Sequence, residues 1–252
     1  MAEPWIVVLM HTPRVLAAAL LIPLLGAPLV PASVTSVFAL SLGTFASLAA
    51  DVANVPALSA SVLMMLVLKE AAIGATLGLA FAMVLRLGQT IGQFIDHQTG
   101  LTFSQNLDPN FGNQVSVTGQ LFDQTILVFI VASGGLLVIA ETLLLSFDVW
   151  SVFSLAPQFA KEAPPLLLSL TSRLFALALL LAAPVLLVLF LMDLGLGFLG
   201  RAAPQLNIFY LATAVKSWVA LLVALLALGF VLTQTFEALL AIKAALLSLK
   251  GR

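Results

Sequence analysis

The stretch HQTGLTFSQNLDPNFGNQVSVTGQLFDQ, His97 to Gln124, is crowded with amides, hydroxyls and glycines, yet the chain around it is 62% hydrophobic and only 8% charged. How this passage is read decides the fold. A soluble protein carries roughly a quarter of its residues as Asp, Glu, Lys and Arg. A mean hydropathy of +1.18 places the chain among membrane proteins. Spanning a bilayer takes about 20 apolar residues as a helix, because only helices and closed barrels satisfy their own backbone in lipid. No strand alternation or internal repeat interrupts the apolar runs, so the expectation is an all-α, polytopic helical membrane protein.

Working outward, charges and turn residues delimit six or seven apolar segments: Trp5 to Leu25, Ala32 to Ala50, Pro56 to Ile95, Phe122 to Leu145, Leu166 to Met192 and Phe209 to Ile242. The third is too long for one span and reads as two helices or one long tilted helix. The 252 residues leave room for one helical domain, 1–252, and no soluble module. A signal-peptide reading of the N-terminus fits less well than a retained first helix: apolar character starts at Trp5, ahead of Arg14, and Pro23, Pro28 and Pro31 break the run. Lys243, Lys250 and Arg252 follow the last acidic residue, Glu237, which favours a cytoplasmic C-terminus. With a net charge of -1 there is no basic field for nucleic acid.

Two polar stripes flank the opening passage. Arg86, Gln89, Gln93 and Asp96 fall on one helical face before it, and Gln120, Asp123 and Gln124 share a face after it. Polar side chains at membrane depth face protein or water. One reading is a helical hairpin whose tip and inner faces see water; the other is an ordinary wet loop with frayed helix ends. Lys69, Glu70, Arg86, Asp193, Arg201 and Lys216 sit close to or within apolar segments, each costing about 2.5–3.5 kcal/mol at mid-bilayer. They lie near interfaces or are shielded by partner chains. Gly74 and Gly78 form a small-xxx-small pair that admits a close helix.

The chain offers catalysis no foothold, and the expectation is that it is not an enzyme. Gly195, Gly197 and Gly200 spell GxGxxG, but no strand precedes them, and chain flexibility or helix packing is the plainer reading. His11 and His97 are the only histidines and do not form HExxH. Cysteine is absent, which removes thiolate sites and disulfides. Ser133 in VASGG has only those histidines as a base, and small residues there read as helix packing. Asp193 has no second carboxylate in a matching setting. No cofactor is expected.

Four patterns together resemble the FliR/SctT family, the export-gate membrane component of flagellar and injectisome type III secretion systems, over essentially the whole chain. They are RAAPQLNIF from Arg201 to Phe209, followed by Lys216; the DP-x-x-G arrangement of Asp108, Pro109 and Gly112, with Gly119 beyond; Arg14, Pro23, Gly26 and Pro31; and LKE at Leu68 to Glu70. The resemblance implies helical hairpins packed in a larger export-gate assembly in the bacterial inner membrane. Its implied partners are FliP/SctR-like and FliQ/SctS-like subunits, FlhB/SctU-like and FlhA/SctV-like components, and secreted unfolded polypeptides. It implies a plug from about 106 to 118 carrying Asn106, Asp108, Pro109, Asn110, Phe111, Gly112, Asn113 and Gln114. The glutamines Gln89, Gln93, Gln120 and Gln124 become pore-facing, and Arg14, Lys69, Glu70, Arg201, Pro204, Gln205, Asn207, Phe209 and Lys216 become assembly residues. Such a plug suits its composition: glycine and asparagine adopt loop conformations, Phe111 offers one large apolar contact, and amides supply exchangeable hydrogen bonds. The injectisome branch is favoured over the flagellar one. Two other functions fit the same polar midpoint: a secondary solute transporter with a broken-helix binding site, and a non-pore assembly factor.

Overall fold

The computed structural model describes residues 4–26, 30–48, 59–100, 116–154, 158–202 and 208–250. Its regular structure is helical throughout: α1 (Pro4–Leu21), α2 (Ala32–Leu48), α3 (Ala60–Leu85), α4 (Leu87–Thr99), α5 (Val117–Ala132), α6 (Gly135–Val149), α7 (Gln158–Ala202) and α8 (Ile208–Lys250). The chain is an all-α membrane protein. Ala60–Leu85, Leu168–Ala202 and Ala212–Leu249 are long and apolar enough to cross a bilayer, and the bent pair α5 and α6 makes a fourth if counted as one span.

Of the two readings of the long third segment, two helices is the one observed: Ala60–Leu85 and Leu87–Thr99 are separated by a turn at Arg86. Other segments expected from hydropathy are redrawn. The segment expected from Phe122 to Leu145 begins earlier, at Val117, and breaks at Ser133–Gly134, where Gly134 takes φ +80, a left-handed conformation that glycine adopts without a Cβ clash. The first helix stops at Leu21, two residues ahead of Pro23, so α1 and α2 are shorter apolar helices. GLGFLG lies inside α7, which excludes a strand-to-helix phosphate loop.

Two compact units are present: residues 1–85, 130–172 and 237–252, and residues 86–129 and 173–236. In the first, α1 packs on α2 and α3 with Val15, Ala18, Ala19 and Ile22 sealed from solvent. Gly74 and Gly78 make this possible. A Cβ at Gly74 would run into the Arg14 carbonyl, and one at Gly78 would come within 2.7 Å of the Ala18 carbonyl oxygen. A Cβ at Gly43 of α2 would come within 2.9 Å of Thr12 Oγ1 and 3.1 Å of its Cα. In the second unit, Phe122, Ile126, Ile91 and Ile95 are buried, while the long helices turn large apolar side chains outward, among them Phe198, Trp218, Leu222 and Leu226. So many exposed large apolar side chains suit lipid or other helices.

Candidate functional site

Three polar arrangements stand out among the described residues. The first is a charge cluster inside the 1–85, 130–172 and 237–252 unit. Arg14 of α1 is completely buried and donates Nε to Glu70 Oε2 of α3 at 2.7 Å. Its other nitrogens donate to Ser146 Oγ at 3.1 Å and to the Trp150 carbonyl at 2.7 Å. The guanidinium also lies over the Phe147 ring, 4.1 Å from the centroid. Lys69 holds the other carboxylate oxygen of Glu70 at 2.9 Å and donates to the carbonyls of Ser151, Val152 and Ser154, each at 2.8 Å. Two cations and one carboxylate thus tie α1 and α3 to the chain corner that ends α6. Lys243 pairs with Glu141 at 2.6 Å in the same unit, so one cation of the basic C-terminal stretch is engaged within the chain.

The second arrangement is the α4–α5 hairpin. Its seam is backbone on backbone. A Cβ at Gly92 would collide with Gly119, one at Gly88 would meet Phe122 and Asp123, and one at Gly119 would meet the Gln89 carbonyl. These pairings run antiparallel. Side chains one position past the seam on two antiparallel helices turn to the same side of the pair, because their chains wind in opposite senses seen end-on. Gln89 and Gln93 follow Gly88 and Gly92, Gln120 follows Gly119, and Gln124 lies one turn beyond Gln120. Gln93, Gln120 and Gln124 are exposed and Gln89 is half-buried, accepting from Arg86 at 2.7 Å.

Asp96 departs from the polar stripe expected of it. It is buried and turned into the hairpin, where one carboxylate oxygen accepts from Ser116 Oγ at 2.7 Å and from the Thr118 backbone N–H at 3.2 Å. Ser116 caps α5 by accepting the Gly119 N–H at 2.8 Å. A carboxylate at a helix N-terminus satisfies donors with no intrahelical partner and is favoured by the helix dipole. Neither this cap nor the carboxylate twenty positions upstream stands out in the sequence, where both sit among many other polar residues.

The third arrangement lies in the same unit as the hairpin. Asp193 of α7 pairs with Lys216 of α8, and its second oxygen accepts from Gln98 Nε2 of α4 at 3.0 Å. Several of the embedded charges expected near interfaces or against partner chains are thus paired within the chain: Lys69 with Glu70, which Arg14 also holds, and Lys216 with Asp193. Arg201 is exposed at the C-terminal end of α7. Pro204, Gln205 and Asn207 lie outside the described residues, as do the plug positions Asn106, Asp108, Pro109, Asn110, Phe111, Gly112, Asn113 and Gln114; Phe209 falls in the first turn of α8. His11 is buried with Nδ1 2.7 Å from the Val7 carbonyl, and no cluster of metal-ligating side chains occurs among the described residues.

Comparisons with known proteins agree on one family. The family described as "Bacterial export proteins, family 1" matches residues 5–241. Yop proteins translocation protein T of Yersinia pestis is 32% identical over 67% of this chain and 66% of its own length, just under two thirds. Flagellar biosynthetic protein FliR of Bacillus subtilis is 31% identical over 75% of this chain and 74% of its own. Surface presentation of antigens protein SpaR of Salmonella typhimurium is 35% identical over 64% and 60%. Matched over almost its full length, the chain belongs to family 1 of the bacterial export proteins, the FliR/SctT family of type III secretion.

Proposed function

We propose that this chain is a core subunit of a type III secretion export gate, helping to form and to plug the pore through which unfolded proteins cross the bacterial inner membrane. The observation that carries this reading is the α4–α5 hairpin: two helices joined along a glycine seam, with Gln89, Gln93 and Gln120 turned to one side of the pair. Neutral amides suit a passage for chains of varied sequence, since fixed charges would retain segments of opposite charge. The connection between those helices carries Asn106 to Gln114, the residues expected to plug the pore. The subunit acts without catalysis or cofactor, beside FliP/SctR-like, FliQ/SctS-like, FlhB/SctU-like and FlhA/SctV-like partners. Relatives of both secretion systems support the class. The passages LMDLGLGFLGRAAPQLN and SFDVWSVFSLAP favour the injectisome version.

Deleting Pro109 to Gln114 tests the plug. The complex recovered in mild detergent should keep its FliP/SctR-like and FliQ/SctS-like partners, while membranes bearing it become leaky to ions and small dyes. An assembled deletion variant with membranes as tight as the parent's would reject the plug. Loss of small-solute uptake without leak would indicate a transporter, and loss of the partners alone a docking loop.

A further inference from the structure

Among the described residues, the α4–α5 hairpin meets the long helices at a carboxylate at the end of α4 and, further along, where the Phe129 ring of α5 lies edge-on to Phe236 of α8, centroids 6.5 Å apart. Asp193 holds Lys216 with one oxygen and Gln98, in the last turn of α4, with the other. Two residues on, Gly100 ends α4 with φ +85, and a Cβ there would lie 3.7 Å from Thr213 Oγ1 of α8. The end of α4 therefore meets both long helices at one level.

The two carboxylates near this point differ in what their release would leave behind. Asp96 is only 2% exposed, so separating it from Ser116 and Thr118 would strand a charge away from water. Asp193 is different. Its charge is matched by Lys216 and its side chain is 36% exposed, so losing the neutral amide of Gln98 leaves an ion pair that is still satisfied. The bond within the hairpin is the firm one, and the bond from the hairpin to α7 is the releasable one.

We infer that Asp193, oriented by Lys216, is a positioning residue that latches the α4–α5 hairpin to α7 and α8, and that Gln98 lets go when a polypeptide passes. The Gln98 end of the hairpin moves as one body, because Asp96 and the glycine seam keep its helices together. This rests on the export-gate reading above.

The test uses the intact complex in native membranes and exploits the absence of cysteine. A disulfide needs Cβ atoms roughly 3.5–4.5 Å apart; the carbon added at Gly100 would lie 3.7 Å from Thr213 Oγ1, close to where a sulfur at 213 would sit, so Gly100→Cys with Thr213→Cys is the pair to bridge at the long end of that range, and it leaves Gln98, Asp193 and Lys216 untouched. Oxidation, confirmed by a gel shift absent from each single-cysteine variant, should lower polypeptide export by at least about tenfold, and reductant should restore it. In a separate variant that needs no residue at a left-handed backbone position, Gln98→Leu should raise ion leak by about tenfold with the complex recovered at parental yield. Equal export by the oxidised and reduced forms, or a Gln98→Leu membrane as tight as the parent's, would overturn the latch. If export proceeds when the chain is removed altogether, the export-gate reading fails instead. A chain that is required while its locked form exports normally refutes only the latch.

Discussion

Arg14 shows how a single side chain can hold several parts of a unit at once. It lies in a sealed setting with a carboxylate, a hydroxyl, a carbonyl and an aromatic face around it. Glu70→Ala would leave this cation without its counter-charge, at a cost of about 3–5 kcal/mol, so thermal unfolding of the purified protein should fall sharply. Arg14→Leu combined with Glu70→Leu should lose less than the two single changes summed, because neither charge is then left unpaired. Strict additivity in that cycle would count against direct coupling. Arg14→Lys should also destabilise, by about 1–3 kcal/mol, since an ammonium cannot reproduce the fork that reaches Glu70, Ser146 and Trp150 together. Lys69 and Glu70 were legible in the sequence as charges embedded beside an apolar run, and Arg14 only through the family resemblance. Ser146 and the Trp150 carbonyl were not, because they lie 132 and 136 positions from Arg14 and look like any serine and backbone group.

Among the helices, glycine means different things at different positions. Gly92→Ala should push α4 from α5, since the added carbon would meet the backbone of Gly119; a loss of about 1–3 kcal/mol is expected. Gly195→Ala should do the opposite. Nothing lies within 4 Å of the carbon it would add, and alanine gains about 0.5–1 kcal/mol over glycine inside a helix. Melting midpoints of the two variants moving in the same direction would contradict this seam. A six-residue spacing pattern such as GLGFLG gives no way to tell the two kinds of glycine apart. Only the neighbouring helix does.

For the whole molecule, the prediction is a pattern of water access. Single cysteines at Gln93, Gln120 and Gln124 should react with a small water-soluble thiol reagent in the open gate, Gln89 more slowly, and buried Ile91 and Ile126 least. Leu79 and Val128 would look like natural apolar controls from sequence, but they are 40% and 69% exposed in the chain and cannot serve. Uniform protection at all six positions from Gln89 to Ile126 would remove the water-facing surface. The solvent, the helical class and the family are legible along the chain alone, because hydropathy and apolar run length add up residue by residue and motifs such as DP-x-x-G and RAAPQLNIF are local. Tertiary structure alone decided that α5 and α6 part at Gly134, that Asp96 turns inward to cap α5, and which charges pair. The reason is physical. Hydropathy averages over a window, whereas an ion pair such as Asp193 with Lys216, or a seam such as Gly92 with Gly119, depends on whether two distant helices approach closely enough for individual atoms to meet.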